Sequence, residues 1–131
     1  MNSITVHSSS RNEMIDITME VQEVVDKSGV KYGYAILYVP HTTAAVTVNE
    51  GADSSVKHDI LSALSKLVPH DAGYNHAEGN SDAHIKSSII GCSQTVLIEN
   101  GKLLLGTWQH IFFFEGDGPR TRKVYIEIFG K

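Results

Sequence analysis

Thr95-Val96-Leu97-Ile98-Glu99-Asn100-Gly101-Lys102-Leu103-Leu104-Leu105 is the stretch that decides the fold class. Two apolar runs of strand length flank Asn-Gly, a dipeptide suited to the two positive φ angles of a type I′ hairpin turn. Strands joined this tightly must be antiparallel. Trp108 to Glu115 reads as a further strand, broken by Gly116-Asp117-Gly118-Pro119, and Lys123 to Phe129 as the last one.

Upstream, the pattern switches between periods. Ile4 and Val6 alternate with polar neighbours, as in a short strand. Ile17, Val21, Val24 and Val25 follow helical spacing, with Asp16 placed to cap the start and Gly29 to end it. Tyr34 to Val39 is a continuous apolar run stopped by Pro40, and Ala44 to Asn49 alternates. Asp53 is placed to cap a second helix whose apolar face is Val56, Ile60, Leu64 and Leu67, closed by Pro69. Residues 70–82 form a long polar, glycine-containing loop of the kind that often carries function. Ala83 to Ile90 reads as a short helix, capped by Ser81 or Asp82 and stopped by Gly91. The sum is one α+β domain spanning 1–131, a largely antiparallel sheet or sandwich with two main helices.

Composition narrows the function classes. With 41% hydrophobic and 20% charged residues the chain is ordinary globular protein, and its net charge of -4 gives no basic footprint for nucleic acid. No apolar run reaches the ~18 residues of a membrane span, and no secretory leader is evident at Met1–Val6. Cys92 is the sole cysteine, which excludes an internal disulfide and reads as a small buried residue after a glycine. The expected location is the cytoplasm, with no nucleic-acid or membrane partner.

Three polar constellations carry candidate chemistry. The first is Pro40-His41-Thr42-Thr43 with Asn49-Glu50-Gly51-Ala52-Asp53. His41 and Glu50 are candidate proton carriers. A simple hairpin of the two adjoining strands keeps them at opposite ends, so a site using both needs another arrangement or a second subunit. Asp53 is either part of that site or simply the helix cap. The second is His76-Ala77-Glu78-Gly79-Asn80-Ser81-Asp82-Ala83-His84. Two imidazoles eight residues apart across a loop either converge on one metal ion or are surface histidines. Lys86 adds positive charge nearby. The third is Gly106-Thr107-Trp108-Gln109-His110 with Glu115 to Arg122. In a strand, Arg120 and Arg122 face the same side and form either a phosphate clamp or a charged edge. Trp108 reads as a core or subunit-interface residue or, alternatively, as a ligand-stacking ring, and Gln109 is the suggestive polar neighbour. His7, His58 and His70 look peripheral.

His41-Thr42-Thr43-Ala44-Ala45, Asn49-Glu50 with Asp53, the block from His76 to His84, Gly106-Thr107-Trp108-Gln109, and Glu115-Gly116-Asp117-Gly118-Pro119-Arg120 with Arg122 together resemble the YjbQ family. Members of that family carry the label of secondary thiamine-phosphate synthases. His110 departs from the pattern, where glycine often follows Trp-Gln. The resemblance implies a homotrimer, with sites formed between subunits and with Trp108 and Phe112 to Phe114 buried at the interfaces. It implies a metal pocket at His41, His76 and His84, with Glu50 and Asp53 close by. Zn²⁺ suits imidazole ligands, while Mg²⁺ or Mn²⁺ would suit phosphate chemistry. The implied reaction joins a pyrimidine diphosphate to a thiazole phosphate and releases pyrophosphate. His41, Glu50 and Asp53 are then the catalytic candidates, and Arg120, Arg122, Gln109 and Lys86 would bind the phosphorylated metabolite. The competing expectation is a non-catalytic module that binds a metal or an anion.

Overall fold

The computed structural model describes residues 1–131. The order is β1 (Asn2–His7), β2 (Glu13–Asp16), α1 (Thr18–Ser28), β3 (Gly33–Tyr38), β4 (Ala44–Glu50), α2 (Ser54–Leu67), α3 (Ser81–Ile90), β5 (Ser93–Glu99), β6 (Lys102–Leu103), β7 (Gln109–Glu115) and β8 (Thr121–Gly130). The strands form two sheets, β1-β8-β3-β5-β6 and β2-β7-β4, in which every pairing is antiparallel. The α+β class and the antiparallel sandwich expected from the sequence are therefore both present.

The hairpin that decided the class forms as read. Ile98 pairs with Leu103 and Glu99 with Lys102. Asn100 and Gly101 take φ of 53° and 77°, the left-handed pair that a type I′ turn requires. Strand β6 is shorter than its apolar run.

Strands β3 and β4 do not pair with each other. β3 lies between β5 and β8, whereas β4 pairs with β7 in the other sheet. Pro40 lacks the N–H a ladder needs, and the segment from Val39 to Thr43 crosses from one sheet to the other. Val39 and Thr43 are buried on the way.

The main core lies between the sheets. Leu37, Val96, Val124 and Ile126 from the large sheet meet Val46, Ile111 and Phe113 from the small one. Val21 and Val25 bring α1 into the same core, and α1 packs against β1, β6, β7 and β8. The outer face of the small sheet presents Met14, Ala45, Phe112 and Phe114, which α2 covers with Ile60, Leu61 and Leu64. Phe112, Phe113 and Phe114 are thus buried within one chain, on alternate faces of β7. The expectation that they need a subunit interface is corrected: a strand between a sheet and a helix has two apolar faces. Each ring contributes about 1.5–3 kcal/mol by burial. Trp108, one residue before β7, is 62% exposed and belongs to no core.

The helix boundaries show where side chains rather than periodicity decide. Gly29 ends α1 in the left-handed conformation, as expected. Asp16 accepts from Thr18 N–H at 3.0 Å and Thr18 Oγ1 at 2.6 Å while ending a strand, β2, that the sequence did not announce. Asp53 caps α2 by accepting from Ser55 N–H at 2.9 Å. Neither Ser81 nor Asp82 caps α3; the cap position falls to Asn80, because the Asp82 carboxylate turns inward to Arg11 and Lys86. No helix is long and apolar enough to cross a membrane.

Candidate functional site

The β4–β7 ladder sorts the candidate residues. Ala44 faces Glu115 at one end and Glu50 faces Gln109 at the other. Seven residues of strand at about 3.3 Å each put these ends about 20 Å apart.

At the Glu115 end, Glu115 and Arg122 are both buried. Arg122 Nε donates to Glu115 Oε1 at 2.9 Å and Nη2 donates to Oε2. Nη2 also donates to Thr43 Oγ1 at 2.8 Å. Ser8 Oγ donates to Glu115 at 2.7 Å, and Asp117 N–H donates to it at 3.0 Å. Burial opposes ionisation of Glu115, but Arg122 and the other donors outweigh it and hold the carboxyl below its ordinary range. This carboxylate is the partner that sequence reasoning missed, although Glu115 and Arg122 flank the Gly116–Pro119 turn.

The expected pairing of Arg120 with Arg122 is corrected. Arg122 faces the core, whereas Arg120 precedes β8 and binds Asp117 at 2.9 Å on the surface. Lys86 is not an open anion ligand either. It is buried, donating to Asn12 Oδ1 at 3.2 Å and Asp82 at 3.4 Å. Arg11 makes a two-point contact with Asp82, both distances 2.9 Å. Burial resists the Asp82 charge, yet Arg11 and Lys86 hold its carboxyl below the ordinary range. These ion pairs fix α3 against the loops around it.

Fixing α3 places a cleft. A cavity of about 480 Å³ is lined by His41, Thr42, His84, Ser87, Ser88, Gly91 and Cys92. His84, Ser87, Ser88 and Gly91 share one face of α3 and its end, at i, i+3, i+4 and i+7. That spacing is the signal by which the serines could have been found. Cys92 is exposed in this cleft, not buried as expected. His41 Nε2 accepts from Lys123 N–H at 3.0 Å, which leaves Nδ1 as the nitrogen open to a ligand. Burial first, and the nearby Arg122 second, push the His41 imidazole below its ordinary pKa.

A second hollow of about 320 Å³, lined by Tyr74, Asn75, His76, Ser81, His84 and Ile85, adjoins the first through His84. The rings of His76 and His84 stand perpendicular with centroids 5.4 Å apart. Two imidazoles on one tetrahedral ion, with Zn–N near ~2 Å, have centroids about 5 Å apart, a separation close to that of this pair. Glu78 Oε2 lies 3.6 Å from His76 Nε2. No three His, Cys, Asp or Glu side chains converge as a ready ligand set within the chain. His70, ranked as peripheral, closes this loop through its contact with Gly79 O at 2.8 Å.

Glu50, Asp53 and Gln109 lie at the far end of the ladder. Glu50 accepts from Asp53 N–H at 3.2 Å, and Gln109 Oε1 accepts from Gly106 N–H at 2.7 Å. His110 contacts Asp16 at 2.6 Å beside them. These residues make one group, but none of them lines the cleft that contains His41.

Residues 2–131 match the family described as UPF0047 protein YjbQ-like. The chain belongs to that family. Its UPF0047 relatives include the protein MJ1081 of Methanocaldococcus jannaschii, 56% identical over 125 residues, covering 95% of this chain and 91% of that one. YugU of Bacillus subtilis is 47% identical over 131 residues and covers 99% of each. A crystal structure of a YjbQ/UPF0047 family protein from Clostridium acetobutylicum superposes with a TM-score of 0.97 at 51% identity, covering 98% of this chain and 100% of that one.

Proposed function

We propose that this UPF0047 protein is a small-molecule enzyme acting on a phosphorylated substrate at the His41–His84 cleft, assisted by a divalent cation on His76 and His84. The observation that carries the reading is that pair of perpendicular imidazoles, 5.4 Å apart, at the border of two adjoining cavities. Imidazole ligands favour Zn²⁺, with Mn²⁺ or Mg²⁺ as alternatives. A bound divalent ion would neutralise charge on a departing phosphate.

The specific form is transfer of a pyrimidinylmethyl group from its diphosphate to the ring nitrogen of a thiazole phosphate. The ring nitrogen's electron pair forms the new C–N bond, and pyrophosphate leaves with the C–O pair. A homotrimer belongs to this reading, because it would bring the Glu50–Gln109 end of one chain to the cleft of another. The outer face of the large sheet exposes Tyr34, Tyr38, Leu97 and Phe129, an apolar surface suited to assembly. The cytoplasm is the location that fits a phosphorylated metabolite.

The non-catalytic binding module is favoured by one observation: none of the seven residues lining the larger cleft is a carboxylate. Pyrophosphate release from the two precursors, with Zn²⁺ or Mn²⁺ supplied, separates the readings. The enzyme reading expects turnover in the wild type, lost in His84→Ala with the fold intact. Ligand binding without turnover would establish the module.

A further inference from the structure

We infer that the cleft between α3 and residues 41–42 is an oxyanion pocket, in which His41 acts as a fixed Nδ1–H donor and the Ser87 hydroxyl as a second donor to a phosphoryl group. It rests on the proposed function only in taking the ligand to be phosphorylated; it requires no metal ion.

The backbone sets the His41 tautomer. Lys123 N–H donates to His41 Nε2 at 3.0 Å, so that nitrogen must be unprotonated. A neutral ring then carries its proton on Nδ1. His41 is thereby neither a base through Nε2 nor a metal ligand through it. It is a donor whose orientation is held by β8.

Ser87 supplies the independent observation. It is only 7% exposed, and its Oγ has no hydrogen-bond partner. A buried unpaired hydroxyl is costly, and a ligand that accepts from it would remove that cost. Ser88, one position on, is already satisfied by donating to His84 O at 2.9 Å. Ser87 is thus the lining serine whose enclosed hydroxyl lacks a partner.

The remaining features select the ligand's charge. The cleft has no lining carboxylate to repel an anion. The cations first expected to bind it, Arg122 and Lys86, are engaged by Glu115 and Asp82. No free guanidinium fork presents itself to a planar carboxylate, whereas separate single donors suit the tetrahedral oxygens of phosphate. At about 480 Å³ the cavity also has room for the organic portion of a phosphorylated metabolite.

The test uses the full chain with histidine ring nitrogens ¹⁵N-labelled, chelator present throughout, and inorganic phosphate as the probe. The expected result is a His41 ring protonated at Nδ1 at neutral pH, with resonances that shift saturably as phosphate is added. Ser87→Ala should weaken that binding about tenfold, the loss of one hydrogen bond to a charged group. The same substitution should leave the melting temperature unchanged or raise it, since it removes an unpaired buried hydroxyl. A His41 ring protonated at Nε2, no saturable shift, an equal shift with acetate, or undiminished binding in Ser87→Ala would each overturn the inference. Because chelator is present, absence of a metal on His76 and His84 would leave these results untouched.

Discussion

At one end of the β4–β7 ladder Glu115 is wholly buried against Arg122; at the other, Asp16 and His110 form a pair in which both side chains are more than a third exposed. The contrast separates structure from contact. The buried pair also binds Ser8 and Thr43, so it ties β1, β7, β8 and the crossover after β3 into one unit that holds the cleft. The exposed pair, with Asp16 and His110 2.6 Å apart, lies in water that screens it and supplies alternative partners. Distance alone therefore does not separate the two pairs; burial does.

The largest expected effect comes from breaking the buried pair. Glu115→Gln leaves Arg122 buried without its counter-charge, and urea denaturation should show a loss of about 3–5 kcal/mol. A loss below 1 kcal/mol would erase the distinction between the two ends. Acid should act in the same direction. Glu115 and Asp82 are held below their ordinary carboxylate range, so the unfolded chain takes up protons first as pH falls. Their contribution is complete above about pH 5 and is lost as pH descends through the folded values. Melting curves from pH 7 to 3 should fall less steeply for Glu115→Gln than for the wild type.

The exposed end offers smaller changes. A Cβ on Gly51 would stand 2.1 Å from Cγ of the His110 ring, so Gly51→Ala must displace that ring. It should cost about 1–3 kcal/mol by overpacking. Adding His110→Ala should restore part of the loss, as a double-mutant cycle would reveal. His110→Ala alone should change stability by less than about 1 kcal/mol, because its ion pair is exposed.

The sequence made visible whatever depends on local rules. Asn100-Gly101 announced its turn, Gly29 and Asp53 their helix ends, and the helical spacing after Asp53 gave Ile60 and Leu64 of the face that covers the small sheet, although Leu67, read into that face, is exposed and Leu61 packs there instead. Partners distant in sequence stayed hidden. β2 is four residues long, too short to display a period, and it exists because β7 pairs with it. Asp82 read as a cap until Arg11, 71 residues away, drew its carboxylate inward. For the same reason His76 and His84, joined by one loop, were legible as neighbours. The placement of His41 against β8 and the separation of Glu50 from the cleft depended on which sheet each strand joined.

The central claim is that the His76–His84 end of the molecule holds a divalent cation. Protein purified without a tag or chelator should carry close to one zinc or other transition-metal ion per chain by elemental mass spectrometry. His76→Ala and His84→Ala should each lose it, while Glu50→Gln at the far end of the ladder should retain it. No metal in the wild type after incubation with Zn²⁺ or Mn²⁺, or equal metal in wild type and His84→Ala, would contradict the account.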